Sequence, residues 1–596
     1  MGQIGRVGYV GGIDLFPLRK TLRGYSVSAW KGDANAAINV ALLAFPQGMA
    51  YAMIAGLPIE YGILGSAVAC VVGAIWARSR FVVLGPTNAT SVLLMSAFAA
   101  TQLSVAESMV VLPLIVLLSG LFMLAGAFAK AAGLLRYISR TVVTGYITAA
   151  ALLIVANQIR HVLGVESTGG SASTFVAVIH DTALSLSTVN GAAVFLSAST
   201  FVTYWALRQV APSLPNVALC LVLMGLLSAG MQRMGFEVEM LASFSLGEWG
   251  VVFPEVDLHS VRRYVSTAIA VALLSALEGY SIGKSLAARS GDKLDANQEL
   301  FNMGMANLGC AFLCGMPASG SLTRSVLGWS SGGKTPLASL YTGLIILAVA
   351  AGLGGCLMWI PKAALAVVVI VIGVSLVSRH QIFLACHSTG SDAIAFYTTL
   401  AGGLLLPLDM AIYLGTGISI FLFLKKAAAP DLIEYTFTEE GRLTEKQGRA
   451  KQVPEVSIVH VEGDLFFGSA DLFRDQIRRI IEDDNLYVLI LRVKNAHILD
   501  ATCVMALEEL VKTMKEKNRH LLVSGVRARI YKVLEKSRVL DAIGRENVFR
   551  EAVDNPTFST AMAMKRAQAL LGGREANVTI YVNPATSKDQ GETPGS

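Results

Sequence analysis

From about residue 33 to residue 426 the chain is a series of long apolar blocks separated by short polar or basic stretches. The runs 108–129, 141–156 and 363–377 contain no Asp, Glu, Lys or Arg. Roughly 20 such residues cross a bilayer core as a helix. Lipid supplies no hydrogen bonds, so a helix that satisfies its own backbone is the form such blocks take there. A buried helix in a soluble core explains one or two of these runs but not a long series. The pattern gives about fourteen membrane segments. They lie near residues 33–54, 60–77, 85–100, 108–130, 138–158, 189–208, 215–232, 264–288, 298–315, 321–331, 337–359, 361–378, 392–407 and 409–425.

An even number of crossings puts both termini on one side. Arg19, Lys20 and Arg23 precede the first segment, and Arg78 and Arg80 follow the second. Lys130, Arg136 and Arg140 follow the fourth, and Lys425 and Lys426 the last, whereas 101–107 and 162–188 contain no Lys or Arg. Basic residues favour the cytoplasmic loops, which places both termini in the cytoplasm of an inner or plasma membrane. Arg233, Arg262 and Arg263 fall in a loop expected outside and run against this scheme. The first thirty or so residues lack a signal peptide's short apolar core and cleavage site.

From about Val453 the texture changes. Short strand-like runs at 456–461, 487–493 and 521–524 alternate with helical patterns at 469–482 and 502–517. That alternation predicts a small α/β domain. The expected organisation is a cytoplasmic segment 1–32, a transmembrane domain 33–426, a linker 427–452, an α/β domain 453–571 and a disordered tail 572–596 rich in polar residues.

Segments three and ten depart from the pattern. The third opens with Gly85-Pro86-Thr87-Asn88-Ala89-Thr90. The tenth opens after the run Pro317-Ala318-Ser319-Gly320-Ser321-Leu322-Thr323-Arg324 and soon meets Gly332-Gly333. Gly, Pro and hydroxyl residues break helices, and broken backbone at membrane depth is tolerated around a cavity. A half-helix that begins there points free N–H groups and the positive end of its dipole into the cavity, which suits an anion. An offset of 231 residues carries Pro86 onto Pro317 and Gln47-Gly48 onto Glu278-Gly279. Interrupted segments at matching places in two halves are the mark of a transporter built from repeats, and seven plus seven segments implies inverted ones. The plainer alternative is two kinked helices.

Few ionisable groups lie within the apolar blocks, so each is a candidate for function. Glu278 sits in the mostly apolar run 268–283, which Lys284 ends. It can carry a proton, help hold a sodium ion with nearby hydroxyls, make a structural hydrogen bond, or pair with Lys284. Arg324 can face an anion, pair with a carboxylate or reach back to the surface. Gln47 and Tyr51 lie one turn apart after Pro46, so they can face one cavity or bond to a neighbouring helix. Asp33, Asp392 and Asp409 fall at span ends, where solvation accounts for them.

Composition narrows the classes. The chain is 54% hydrophobic and 15% charged, too little charge for a soluble protein of 596 residues. The net charge of +6 gathers at span ends and reports topology, not nucleic acid. The seven cysteines are scattered and read as reduced packing residues; Cys310 and Cys314 are one turn apart, but no cluster completes a metal site. Gly328, Gly333, Lys334 and Thr335 spell a phosphate-binding loop. Such a loop follows a strand in a soluble domain, and here it follows a membrane segment, so no ATP or other cofactor is implied. No Ser–His–Asp, metal-ligand or paired-carboxylate pattern points to an enzyme.

The motifs carry a resemblance to the SulP anion permeases, the family of sulfate permeases and related anion exchangers. The run Phe45-Pro46-Gln47-Gly48-Met49-Ala50-Tyr51-Ala52, with Ala55-Gly56-Leu57-Pro58 and Tyr61-Gly62, resembles that family's signature. So do 295–300, Gly320-Ser321-Leu322-Thr323-Arg324-Ser325 with Gly333-Lys334-Thr335, and Pro361-Lys362-Ala363. The resemblance runs from about Asp33 to Phe558. It implies an all-α polytopic membrane protein of seven plus seven inverted-repeat segments, with core and gate domains, an elevator-like movement and a homodimer. It implies an anion between the openings of segments three and ten, with Gln47, Tyr51, Thr87, Asn88, Ala89, Ser321, Leu322, Thr323 and Arg324 as binding candidates. Glu278 matches the family carboxylate linked to cation coupling.

Val461-Glu462-Gly463-Asp464-Leu465-Phe466-Phe467 and Leu499-Asp500-Ala501-Thr502 make the C-terminal domain resemble STAS domains, which are shared with anti-sigma-factor antagonists. Soluble relatives place a phosphorylatable Ser after that Asp. Ala501 has no hydroxyl, so a phosphoswitch there is not expected, though Thr502 stands next door. A role in dimerisation and trafficking is the expectation, with a cytoplasmic protein partner as the alternative.

The reading is secondary active transport of a small inorganic anion, with sulfate foremost, coupled to H⁺ or Na⁺ through Glu278. Bicarbonate, chloride, nitrate and small dicarboxylates stay open, as do exchange and channel-like conductance. A nucleobase symporter of the same architecture would use carboxylates where this chain has hydroxyls and an Arg. A membrane sensor signalling through the STAS domain is the alternative of another class.

Overall fold

The structure is a computed structural model that describes residues 9–10, 12–165, 174–211, 216–241, 249–427, 431–437, 443–445, 455–481, 486–552, 558–572 and 578–582. Contacts divide the chain into two compact units, Met1–Ile420 and Phe421–Ser596.

A helix lies over each of the fourteen expected segments. They are α1 Val27–Ala55, α2 Ile59–Trp76, α3 Asn88–Ala100, α4 Val105–Phe128, α5 Arg140–Leu163, α6 Gly191–Val210 and α7 Asn216–Arg233. The second seven are α8 Leu258–Ser290, α9 Ala296–Phe312, α10 Leu322–Ser330, α11 Leu337–Leu353, α12 Lys362–Leu376, α13 Gly390–Leu405 and α14 Leu408–Ala427. Among the described residues nine helices are long and apolar enough to cross a membrane. The third and tenth are short, at 13 and 9 residues. Short helices at Leu18–Arg23, Phe175–Leu184 and Arg379–His387 are added to this set.

Capping fixes several helix starts. The Ser26 hydroxyl accepts from Ala29 N at 3.2 Å, so α1 begins at Val27, within the stretch 1–32 expected to precede the transmembrane domain. The Asp257 and Asp295 carboxylates cap α8 and α9 in the same way. Two buried cores result. One gathers Tyr51 and Ile54 of α1, Val92 and Leu93 of α3, Tyr146 and Ile154 of α5 and Leu365 and Val369 of α12. The other joins Leu112 and Ile115 of α4, Ala268 and Ala272 of α8 and Phe301 and Met303 of α9.

Between these helices lie two strands of two residues each, β1 Leu84–Gly85 and β2 Ser319–Gly320. They pair antiparallel, Leu84 with Gly320 and Gly85 with Ser319. The two interrupted segments therefore begin from one shared backbone ladder.

The second unit is built on a seven-stranded sheet. In chain order its strands are β3 Asp431–Phe437, β4 Leu443–Glu445, β5 Val456–Glu462, β6 Val488–Arg492, β7 His520–Val526, β8 Val548–Arg550 and β9 Val578–Val582. Across the sheet the order is β8-β7-β6-β5-β9-β3-β4, parallel from β8 to β9 and antiparallel beyond. One face packs on α15 Ala470–Ile481, α16 Ala501–Glu516, α17 Ala528–Lys536 and α18 Val539–Ile543; the other packs on α19 Phe558–Leu570. Two expectations are corrected here. The stretch 427–452, read as a linker, supplies β3 and β4, and the stretch 572–596, read as a disordered tail, supplies β9. For β9, Val578-Thr579-Ile580-Tyr581-Val582 is β-branched and aromatic, and pairing completes its backbone hydrogen bonds with both β5 and β3. Residues 438–442, 446–454 and 583–596 lie outside the described residues.

Candidate functional site

The ladder β1–β2 sets the geometry. Ser321 N donates to Val83 O at 3.1 Å, and Val83 N donates to the Ser325 hydroxyl at 3.0 Å. The Cys70 thiol donates to Leu84 O at 3.3 Å. Backbone groups that a broken helix leaves open at membrane depth are thus satisfied by the facing segment and by α2. From this crossing α3 starts at Asn88 with Thr87 as its N-cap, and α10 starts at Leu322 with Ser321 in the N-cap position.

Glu278 comes to the same place on α8, whose backbone runs against the ladder. A Cβ on Gly320 would lie 2.7 Å from Gly279 Cα, so only glycine allows this approach. Glu278 Oε2 accepts from the Thr87 hydroxyl at 3.0 Å and from the Ser319 hydroxyl at 2.7 Å. One carboxyl oxygen therefore reads a hydroxyl from each interrupted segment. Lys284 lies instead over the Tyr280 ring, 5.7 Å from its centroid.

Arg324 is the largest fully buried side chain, with no exposed surface. Its Nη2 donates to Pro86 O at 2.6 Å, and Nε and Nη1 have no partner among the described residues. The guanidinium packs against Gly85, whose φ of +154° favours glycine and whose missing Cβ leaves the room. Arg324 does not reach the surface, and among the described residues it pairs with no carboxylate. It is a fixed positive charge behind the opening of α3.

The other sequence candidates divide by exposure. Thr87, Asn88, Ala89, Gln47, Tyr51 and Ser321 are buried. Gln47 Oε1 and Asn88 Oδ1 are buried without a partner among the described residues. Buried polar atoms are nearly always paired, so such orphans point to a site completed by something else. Tyr51, Ala89 and Tyr146 share one core, and Tyr146 Oη donates to Ala89 O at 3.3 Å. Leu322, 55% exposed, and Thr323 lie open at the tip of α10. The Thr323 and Ser321 hydroxyls are 3.4 Å apart.

Sequence reasoning passed over Ser319, Ser325, Pro86 O and Tyr146. The first two stood in the quoted run and carried hydroxyls, a usable signal. Tyr146 lies in a charge-free block that nothing marks. Asp33 requires a correction. Read as a solvated span end, it is fully buried and holds the loop after α10. Among the described residues no group of three or more His, Cys, Asp or Glu side chains could hold a metal. All seven cysteines are free; Cys356 is exposed and so is not the packing residue expected.

In the second unit Asp500 caps α16. Its Oδ1 accepts from Cys503 N at 3.0 Å, and its Oδ2 accepts from Phe467 N at 2.6 Å. Ala501 is exposed beside it. Burial first, with help from the Asp500 charge, pushes the Cys503 thiol up to about 11. This loop therefore offers neither a serine hydroxyl next to Asp500 nor a reactive thiol.

The architecture has counterparts. A murine solute carrier 26 family member A9 anion transporter in the inward-facing state superposes with a TM-score of 0.83 at 20% identity, over 93% of this chain and 94% of that one. The transmembrane domain of a cyanobacterial bicarbonate transporter, BicA, superposes with a TM-score of 0.57 at 20% identity, over 65% of this chain and 98% of that one. These likenesses establish the fold. In sequence, the chloroplastic sulfate transporter 4.1 of Arabidopsis thaliana is 26% identical over 575 residues, 92% of this chain and 83% of the relative. The sulfate permease family profile matches residues 30–399 and the STAS domain profile residues 448–555. With more than half of its length inside the first match, this chain belongs to the sulfate permease family of membrane transporters and carries a C-terminal STAS domain.

Proposed function

We propose that the chain is a secondary active transporter of a small inorganic anion, sulfate foremost, with the anion held where α3 and α10 meet. The observation that carries this is the pairing of β1 with β2, which sets two helix N-termini at one point beside a buried Arg324 and the unpaired Gln47 and Asn88 oxygens. Helix N-termini favour negative charge through their free N–H groups and dipole. Gln47, Tyr51, Thr87, Asn88, Ala89, Ser321, Leu322 and Thr323 are the proposed binding residues. Arg324 adds positive charge from behind the backbone. Partial charges and one recessed cation bind an anion without holding it too tightly for release.

Glu278 is the proposed coupling group. As a carboxylate it accepts from Thr87 and Ser319. Protonated on either oxygen it becomes a weaker acceptor, so the hydrogen bonds from Thr87 and Ser319 to Oε2 both weaken. Protonation is thereby felt by both segments that hold the anion. Moving one negative charge into a negative cell costs about 2.3 kcal/mol per 100 mV, and an accompanying cation offsets it. In this reading the fold is seven plus seven inverted repeats, the core moves as an elevator against the gate within a homodimer, and both termini are cytoplasmic.

The test is uptake into proteoliposomes holding the purified protein, with sulfate, bicarbonate, chloride, nitrate and a dicarboxylate offered under imposed pH and sodium gradients. Sulfate uptake driven by an inward proton or sodium gradient is the expected result. Preference for bicarbonate would move the cargo within the same mechanism, and no uptake of any anion would leave a sensor acting through the STAS domain.

A further inference from the structure

The loop after α10 has the letters of a phosphate-binding loop, and its backbone does hold an anionic group, one belonging to this chain. Gly332, with φ +94°, and Gly333 turn the chain after α10 so that successive N–H groups converge. Asp33 Oδ1 accepts from Lys334 N at 2.7 Å and Thr335 N at 3.0 Å. Asp33 Oδ2 accepts from the Thr335 hydroxyl at 2.5 Å and from Tyr25 Oη at 3.2 Å. Asp33 has no exposed surface. The first turns of α1 add further stitches: Asn35 Nδ2 donates to Ser331 O at 2.8 Å, and Lys334 Nζ to the Ser28 hydroxyl at 2.8 Å.

These contacts fasten the C-terminal end of α10 to the start of the helix that carries Gln47 and Tyr51. The N-terminal end of α10 is fastened separately, by Ser321 N on Val83 O and by Arg324 on Pro86 O. Between its two ends this nine-residue helix packs through Val326, Leu327 and Trp329, so the hydrogen bonds at each end set how far it can slide or tilt. We propose that Asp33 is a positioning residue for transport: its carboxylate fills the Gly332–Thr335 nest and so fixes the tip of α10 relative to Gln47 and Tyr51. Asp33 does not touch the anion. This rests on the proposed site between α3 and α10.

The experiment compares wild type with Asp33→Ala, Asp33→Asn and Thr335→Val in sulfate uptake at equal reconstituted amounts. It adds hydrogen exchange of the detergent-solubilised proteins. Asp33→Ala should raise the sulfate KM about tenfold, more than it lowers the maximal rate, because a charged acceptor of four hydrogen bonds is lost. Asp33→Asn keeps an oxygen for the two backbone N–H groups and should stay within about threefold of wild type, with Thr335→Val between them. Exchange should quicken across 322–335 in Asp33→Ala and stay unchanged across 88–100. An unchanged KM in Asp33→Ala, or Asn behaving like Ala, overturns the proposal. Wild type that moves no anion would sink the transport reading instead; exchange then decides alone, and undisturbed protection at 322–335 overturns the positioning role.

Discussion

The openings of α3 and α10 occupy matching places in the chain and share one ladder, yet they are finished differently. The α3 end is closed. Thr87 and Thr90 form a reciprocal cap, with Thr87 N donating to the Thr90 hydroxyl at 3.2 Å, and Thr87 also donates to Glu278. Pro86 O is taken by Arg324. The α10 end is open. No side chain caps it, and Leu322 and Thr323 are exposed. Two helix N-termini with the same dipole are therefore not two equal halves of a site. One is capped by its own side chains and bonded to Glu278; the other has no side-chain cap.

That asymmetry can be broken in graded ways. The largest effect is expected at the open tip: Thr323→Trp fills the space before α10 and should abolish saturable sulfate uptake while the protein still inserts and elutes as wild type. Saturable uptake at wild-type KM would place the anion elsewhere. Next comes glycine. Gly85→Ala drives a Cβ into the Arg324 guanidinium at a φ that costs a side chain roughly 1–3 kcal/mol, so thermal stability and uptake should both fall. Gly328→Ala, whose Cβ would meet Val40 at an ordinary 3.5 Å, should change neither. Equal behaviour of the two variants in a melting curve would refute the packing behind the closed end.

A smaller change is expected from Glu278→Gln, which keeps the shape but cannot cycle a proton. Downhill exchange of sulfate should persist while imposed pH or sodium gradients no longer drive accumulation. If the gradients still drive it, Glu278 is not the coupling group. The smallest contrast compares the caps. Thr87→Val removes one of two hydroxyls on Glu278 and should cost about 1–2 kcal/mol of stability. Ser321→Ala, which loses only a 3.4 Å contact with Thr323, should cost about 0.5 kcal/mol or less. Chemical denaturation in detergent reads both, and a reversed order would mean that the α10 end carries the structural load.

Much of this is legible in the amino-acid sequence. The apolar blocks gave the helices because a span must satisfy its backbone alone, a constraint written in composition over about twenty residues. Glu278 stood out because charge in such a block is rare. Gly85-Pro86 and Ser319-Gly320 announced broken helices. Three things were not legible. Asp33 looked like an ordinary span end, since its partners are backbone N–H groups about 300 residues away. Tyr146 had no polar neighbours in sequence. β3, β4 and β9 read as linker and tail because short strands declare themselves only when a sheet edge is there to pair with them.

By itself, then, the sequence determined what each stretch could be: helix, interruption, half-buried strand, or a carboxyl with nowhere to hide. Those properties depend on neighbours within a few residues. The tertiary structure decided the partners. It chose which carboxyl meets Thr87 and Ser319, which cation lies behind Pro86, and whether a phosphate-loop spelling holds a nucleotide or Asp33. Such choices depend on distances between segments hundreds of positions apart, and only the packing of helix against helix sets those distances.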